Sequence, residues 1–366
     1  MFGAKKNFGF GCMRMQMKGS EVDLSEFTKM VDAFMDAGFN YFDTAHVYIN
    51  GQSETALKEC LTSRYKRESY ILTNKLSPSN FNSQEEIRPL LDLQLSACGV
   101  EYFDFWLMHA MNAELFAKYK ACRAFETALE LKEEGKIKHL GISFHDKAAV
   151  LRQILSEYPE IEAVQIQFNY ADFEDENIES RKCYEVCREF NKPIIVMEPV
   201  KGGALANLPK EASEVLNSLK GGSNASYAIR FAAGFEGVFM VLSGMGNMAM
   251  MQDNLSFMTD FKPLSDTELE AIKKVCDILK NQDTIPCTDC KYCVEGCPKD
   301  IKIPELFSIY NNKKQLKENS SKSDYEKLTE GKGKASDCIE CKACESACPQ
   351  HLEITKLLKE VADEFE

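Results

Sequence analysis

The stretch Phe27-Thr28-Lys29-Met30-Val31-Asp32-Ala33-Phe34-Met35-Asp36-Ala37-Gly38-Phe39-Asn40-Tyr41-Phe42-Asp43 changes period halfway along. Phe27, Met30, Val31, Phe34 and Met35 recur three and four residues apart, the stripe of a helix with one buried face, and Gly38 suits the left-handed cap at which such a helix stops. Residues 40–43 are a short aromatic run of the kind that forms a buried strand. The alternation continues on both sides, with candidate strands at residues 8–13, 40–43, 70–74, 103–109, 139–143, 163–168, 194–197 and 238–242. Eight short strands separated by amphipathic helices predict an α/β fold, a closed (β/α)8 TIM barrel. Beyond it, Ser265-Asp266-Thr267-Glu268 matches a capping box and opens a helix through about Leu279 that connects to a second domain. The expected boundary lies near Asn281, giving a barrel over residues 1–280 and a small, mainly helical domain over residues 281–366.

The second domain is defined by cysteine. Cys287-x2-Cys290-x2-Cys293-x3-Cys297-Pro298 and Cys338-x2-Cys341-x2-Cys344-x3-Cys348-Pro349 each have the spacing with which bacterial ferredoxins hold iron–sulfur clusters. Two [4Fe-4S] clusters in a ferredoxin-like domain are expected. If the exchange of fourth ligands seen in two-cluster ferredoxins applies, one cluster takes Cys287, Cys290, Cys293 and Cys348, and the other Cys338, Cys341, Cys344 and Cys297. Structural zinc is the competing reading, but it usually uses two separated Cys-x2-Cys pairs or histidines. Cys12, Cys60, Cys98, Cys122, Cys183, Cys187 and Cys276 show no comparable spacing and read as small buried hydrophobes.

With 366 residues, 44% hydrophobic and a formal net charge of -13, the composition is that of a globular protein. Its many thiols suit a reducing compartment, so the cytoplasm is expected. No clustered Lys and Arg block offers phosphate binding, which argues against a nucleic-acid partner. Neither a leader with a sustained apolar core nor a run of about 18 apolar residues is present, so no membrane insertion is expected. Residues 313–334, rich in Lys, Glu, Ser and Gly, read as a solvated helix and loop without function.

Chemistry in such a barrel sits at the C-terminal ends of the strands. Asp43 ends the second candidate strand, Lys75 the third and His109 the fourth, while Tyr48 follows on the loop after Asp43. With Gly38-Phe39-Asn40-Tyr41-Phe42-Asp43-Thr44-Ala45 as an opening signature, Asp43, Tyr48, Lys75 and His109 make the chain resemble the aldo-keto reductases. The cysteine runs resemble those of the bacterial subfamily that appends a two-cluster segment. The resemblance implies a catalytic tetrad. A carbonyl accepting hydride gathers negative charge on oxygen, and Tyr48 is the candidate acid that protonates it. A free tyrosine, with a pKa of about 10, is a reluctant donor, and a Lys75 cation beside it stabilises the phenolate. Asp43 would hold Lys75, and His109 would hydrogen-bond the carbonyl oxygen or join a proton relay.

The resemblance also implies a nicotinamide site. Ser143 and Gln165 fall near the carboxamide, and Met197 occupies the place where many relatives stack an aromatic ring. Glu198, Pro199, Val200, Lys201 and Gly202 fall beside the pyrophosphate, and Gly244, Asn247, Met250 and Asn254 at the adenosine end. Many NADPH-using relatives carry basic residues at the positions of Gly244 and Met250, so NAD(H) is expected over NADP(H). The function implied is an oxidoreductase acting on a small-molecule carbonyl or alcohol, with the clusters for electron transfer and an electron-transfer protein as a further partner. The alternative is an electron carrier, or a cluster-driven reductase, whose barrel does no hydride chemistry. Nicotinamide moves two electrons and clusters move one, and the sequence shows no flavin site to connect them.

Overall fold

Asp23 starts the helix Leu24–Asp36 by accepting a hydrogen bond from the Glu26 amide at 3.1 Å. The helix ends in a Schellman turn: Gly38, at φ 84°, donates to Met35 O and Phe39 donates to Phe34 O. Phe27, Met30, Val31 and Phe34 are buried as the stripe predicts. This is the computed structural model of the chain, and it describes residues 1–316 and 320–366.

Eight parallel strands close into the expected barrel: Phe8–Gly11, Tyr41–Asp43, Ile71–Leu76, Phe103–Met111, Ile137–Phe144, Ala163–Gln167, Ile194–Met197 and Val238–Ser243. Closure falls at the first strand, where Gly9 lies opposite Tyr41 on one side and Leu242 on the other. A side chain at Gly9 would come within 2.8 Å of Leu242 and 2.9 Å of Tyr41, so the interior has room only for glycine there. Tyr41, Ile71, Phe105, Leu107, Ile195, Met240 and neighbouring apolar side chains fill the barrel.

The third and fourth strands run past Lys75 and His109 instead of ending on them. The fourth does so through a register shift between Met108 and Met111, with Ala110 in the left-handed region at φ 56°. His109 therefore sits in a bulge, a device that re-aims a side chain without ending the strand.

By its contacts the chain forms two units, Met1–Pro199 with Gly221–Leu269, and Val200–Lys220 with Glu270–Glu366. The capping box forms at the start of the helix Asp266–Lys280, with Ser265 N donating to Glu268 Oε2 at 2.8 Å. The second unit has its own core, built from Ile303, Leu306, Phe307, Ile354, Leu358, Val361 and Phe365. Within residues 313–334 the chain is helical over the end of Ile303–Leu316 and over Ser320–Thr329, and residues 317–319 lie outside the described residues. No helix among the described residues is long and apolar enough to cross a membrane.

Candidate active site and iron–sulfur centres

Lys75 is fully buried, and its ammonium spends its three donors on three acceptors: Asp43 Oδ1 at 2.5 Å, Thr44 O at 2.8 Å and Tyr48 Oη at 3.2 Å. Burial pushes the Asp43 carboxyl up and the Lys75 ammonium down, and each opposes the other's shift with its charge. The Tyr48 ring meets the His109 ring edge-on, with centroids 5.9 Å apart. The four predicted side chains thus converge at the C-terminal ends of the strands.

Both main-chain atoms of Lys75 are also fixed. Asn74 Oδ1 accepts from Lys75 N at 2.8 Å, and Gln94 Nε2 donates to Lys75 O at 2.8 Å. Trp106 Nε1 anchors Gln94 Oε1 at 3.0 Å. Asn74 Nδ2 donates to Glu54, a fully buried carboxylate that also meets His46 Nδ1 at 2.7 Å. The sequence reading missed this network.

His109 Nδ1 lies 2.7 Å from Ser77 Oγ, and both residues are buried. Burial, then the Lys75 charge, then His145 hold the imidazole well below its ordinary pKa, so it is neutral at pH 7. Tyr119 Oη lies 2.6 Å from Leu76 O and 2.8 Å from His109 O, its one hydrogen serving either carbonyl, which pins the bulge.

Ser143 and Gln165 sit at the same mouth, both buried. Gln165 lies beside Asp43, and its Oε1 is buried without a hydrogen-bond partner, as is Gln167 Nε2. A buried acceptor and a buried donor left open are what a bound carboxamide would satisfy. His145, also missed, lies 3.4 Å from Ser143 Oγ and 3.3 Å from Gln167 Oε1. Met197 Sδ is 3.9 Å from Ser143 Oγ, and Glu198 holds φ 57° while its carbonyl accepts from Asn169.

The remaining cofactor candidates separate. Pro199 ends the first stretch of the first unit, whereas Val200, Lys201 and Gly202 belong to the second, where Lys201 Nζ donates to Gln350 Oε1 at 3.1 Å. A side chain at Gly202 would fall 2.3 Å from Thr288 O. Asn247 caps the helix Met248–Met258 through Met250 N, Asn254 accepts from Ser243 Oγ at 2.7 Å, and Met250 is half exposed. Gly244 faces the Arg14 side chain, with 3.4 Å between the site of a Cβ and Arg14 Cδ.

In the second unit the two cysteine runs fold alike. Lys291 and Lys342 take left-handed conformations before the short helices Tyr292–Glu295 and Ala343–Ser346. One cavity is lined by Cys287, Cys290, Cys293 and Cys348, the other by Cys297, Cys338, Cys341 and Cys344. Each draws one cysteine from the opposite run. Apolar walls from Ile303, Phe307 and Ile354 in one, and Ile301 and Leu358 in the other, suit an inorganic cluster held by thiolates.

A model of the aldo/keto reductase family matches residues 7–277, and one of the 4Fe-4S dicluster domain matches residues 286–352. The chain belongs to the aldo/keto reductase family and carries a C-terminal 4Fe-4S dicluster domain. It is 28% identical over 218 residues to aldo-keto reductase str7 of Strobilurus tenacellus, covering 56% of this chain and 61% of that protein. It is 26% identical over 216 residues to aldo-keto reductase yakc [NADP(+)] of Schizosaccharomyces pombe, with the same two coverages, 56% and 61%. The chain therefore spans about three fifths of the length of these curated relatives. An aldo-keto reductase of Klebsiella pneumoniae, solved in complex with NADPH, superposes with a TM-score of 0.61 at 17% identity, over 74% of this chain and 90% of that one. At that identity the match speaks for the fold.

Proposed function

We propose that the chain is an oxidoreductase that reduces a small carbonyl compound, or oxidises the corresponding alcohol, with NAD(P)H, NADH preferred. A bound nicotinamide supplies or takes the hydride, and the open Gln165 Oε1 and Gln167 Nε2, with Ser143, would hold its carboxamide. The observation that carries the reading is the Lys75 ammonium shared between Asp43 and Tyr48.

As negative charge develops on the substrate oxygen, Tyr48 Oη gives up its proton and Lys75, 3.2 Å away, stabilises the phenolate left behind. Asp43 and Thr44 O keep the ammonium from turning away. A neutral His109 has one N–H. With the Ser77 hydroxyl donating to Nδ1, that hydrogen sits on Nε2, where it can donate to the substrate oxygen. In the second unit Cys287, Cys290, Cys293 and Cys348 would hold one [4Fe-4S] cluster and Cys338, Cys341, Cys344 and Cys297 the other. Bound there, the clusters would supply one-electron transfer, which calls for an electron-transfer protein as a partner besides the substrate. Eight cluster-ligating cysteines and seven more outside the two runs favour a reducing compartment, the cytoplasm.

The test is oxidation of NADH and NADPH by anaerobically purified protein over a panel of aldehydes and ketones. Tyr48→Phe is expected to lower kcat by roughly 100-fold or more while nucleotide binding stays unchanged. Equal turnover in that variant overturns the assignment. Reducible clusters with no oxidation of either nucleotide would favour an electron carrier instead.

A further inference from the structure

Gln350 stands in the wall of the cavity lined by Cys287, Cys290, Cys293 and Cys348, two residues beyond the last of these. It is only 7% exposed, and the two ends of its amide have different fates. Oε1 accepts from Lys201 Nζ at 3.1 Å. An ammonium can only donate, so that contact settles which end of the amide is oxygen. Nε2, the other end, is buried without a hydrogen-bond partner. A buried donor in that state costs stability, and the acceptors this cavity would present to it are sulfurs. One ligand sulfur already receives a main-chain donor, with Asp289 N at 3.5 Å from Cys287 Sγ.

The backbone before Gln350's partner is shaped for the contact. Lys201 takes φ 47° and Gly202 φ 64°, and a Cβ at Gly202 would fall 2.3 Å from Thr288 O. Thr288 follows the ligand Cys287 and lines the same cavity. Only glycine permits so close an approach, and it sets Lys201 beside Gln350. The other cavity carries a different residue at the matching place. Lys299 stands two residues beyond Cys297, as Gln350 stands two beyond Cys348, and it is exposed.

We propose that Gln350 Nε2 donates a hydrogen bond to sulfur at the cluster site of Cys287, Cys290, Cys293 and Cys348, that Lys201 is the positioning residue that aims it, and that the pair makes this cluster easier to reduce. This rests on the cluster reading above. Reduction adds one electron and one negative charge and breaks no bond. A fixed donor to sulfur stabilises the added charge, and the Lys201 cation behind the amide polarises that donor. At the other site an exposed lysine, screened by water, acts more weakly. The two sites are thus tuned separately although their cysteine patterns are the same.

The experiment is a redox titration of the cluster-loaded protein, with dithionite as electron donor and paramagnetic resonance as readout, for wild type, Gln350→Leu, Gln350→Glu and Lys201→Met. The signal to follow is the one that Cys287→Ser removes. Gln350→Leu should cut the ratio of reduced to oxidised cluster at a fixed potential by about tenfold, which for one electron is a shift of about 59 mV to more negative potential. The other cluster should not move. Gln350→Glu keeps the shape and the Lys201 contact but replaces the donor by an acceptor, and should shift the potential at least as far. Lys201→Met should act in the same direction through Gln350, so its shift should shrink when residue 350 is already leucine. Intact signals with unmoved potentials in both Gln350 variants overturn the proposal, as do additive shifts for Lys201 and Gln350. Loss of the cluster from both Gln350 variants would make the residue a structural one and overturns it as well. If wild type binds no [4Fe-4S] cluster, it is the cluster reading itself that has failed.

Discussion

The barrel mouth and the cysteine cavities gather their functional groups in opposite ways. Asp43, Lys75 and His109 come one each from the second, third and fourth strands, and Tyr48 from the loop between the first two of these. The three strands are neighbours in the sheet, so their pairing brings these residues together, and each main chain is held by its own strand while Lys75 ties Asp43 to Tyr48. Each cavity instead takes three cysteines from one tight local turn and only the fourth from the other run. There the ligands are near neighbours in the chain, but their final geometry depends on a group the protein does not itself encode. A site built on strands should tolerate loss of one side chain with its frame intact, whereas a site closed by metal should lose structure along with the ligand.

The largest expected effect comes from breaking the exchange between the runs. Cys348→Ser should remove roughly half of the bound iron and the same spectroscopic signals that Cys287→Ser removes, leaving those that depend on Cys338. Paramagnetic resonance of the dithionite-reduced protein distinguishes the two sets. If Cys348→Ser and Cys338→Ser instead abolish the same signals, the runs ligate separately and the contrast with the barrel sharpens.

Ser77→Ala tests the other side with a smaller change. The substitution removes the hydroxyl 2.7 Å from His109 Nδ1, and with it the contact that favours the hydrogen on Nε2, at a stability cost of about 1–3 kcal/mol. We expect kcat to fall by about tenfold or more with nucleotide affinity unchanged and with an altered pH profile, a signature that mere loosening of the fold would not give. Ser77→Thr, which keeps the hydroxyl, should restore most of the rate.

The smallest effect concerns acid stability. The folded His109 binds a proton less readily than the unfolded one, whose pKa is near 6.5, so below that pH the unfolded state gains protons that the folded state does not. Its contribution makes stability fall as pH drops through that window. His46 works in the opposite direction: its pKa is raised, chiefly by the Glu54 hydrogen bond, so its contribution is present below about 6.5 and is lost as pH rises through the higher folded value. Urea unfolding from about pH 7 to 5 should show His109→Asn with a shallower acid decline than wild type, and a parallel decline would remove His109 as its source.

Local spacing made the cysteine runs legible, because ligand order along the chain is nearly ligand order in space. The barrel and the three polar residues near its strand ends were legible through alternation of period, which specifies where strands end to within a residue or two, and Tyr48 through its place on the loop after Asp43. The bulge at Ala110 was not, since Met108-His109-Ala110-Met111 reads as an uninterrupted strand and the break is set by pairing with Ile142 and Phe144. Nor were Glu54, Asn74 and Gln94, which lie twenty residues apart in steps and reveal their linkage only when helix and strand are packed.

The excursion of Val200–Lys220 into the second unit has a consequence for cutting the molecule. The chain passes between its units at 199/200, 220/221 and 269/270, so no single peptide bond divides one from the other. A stop codon at the cysteine frontier would not release a self-sufficient barrel. It would leave Lys201 without Gln350 and Gly202 without the Thr288 backbone it fits, stranding a length of chain whose surroundings were encoded more than eighty residues later.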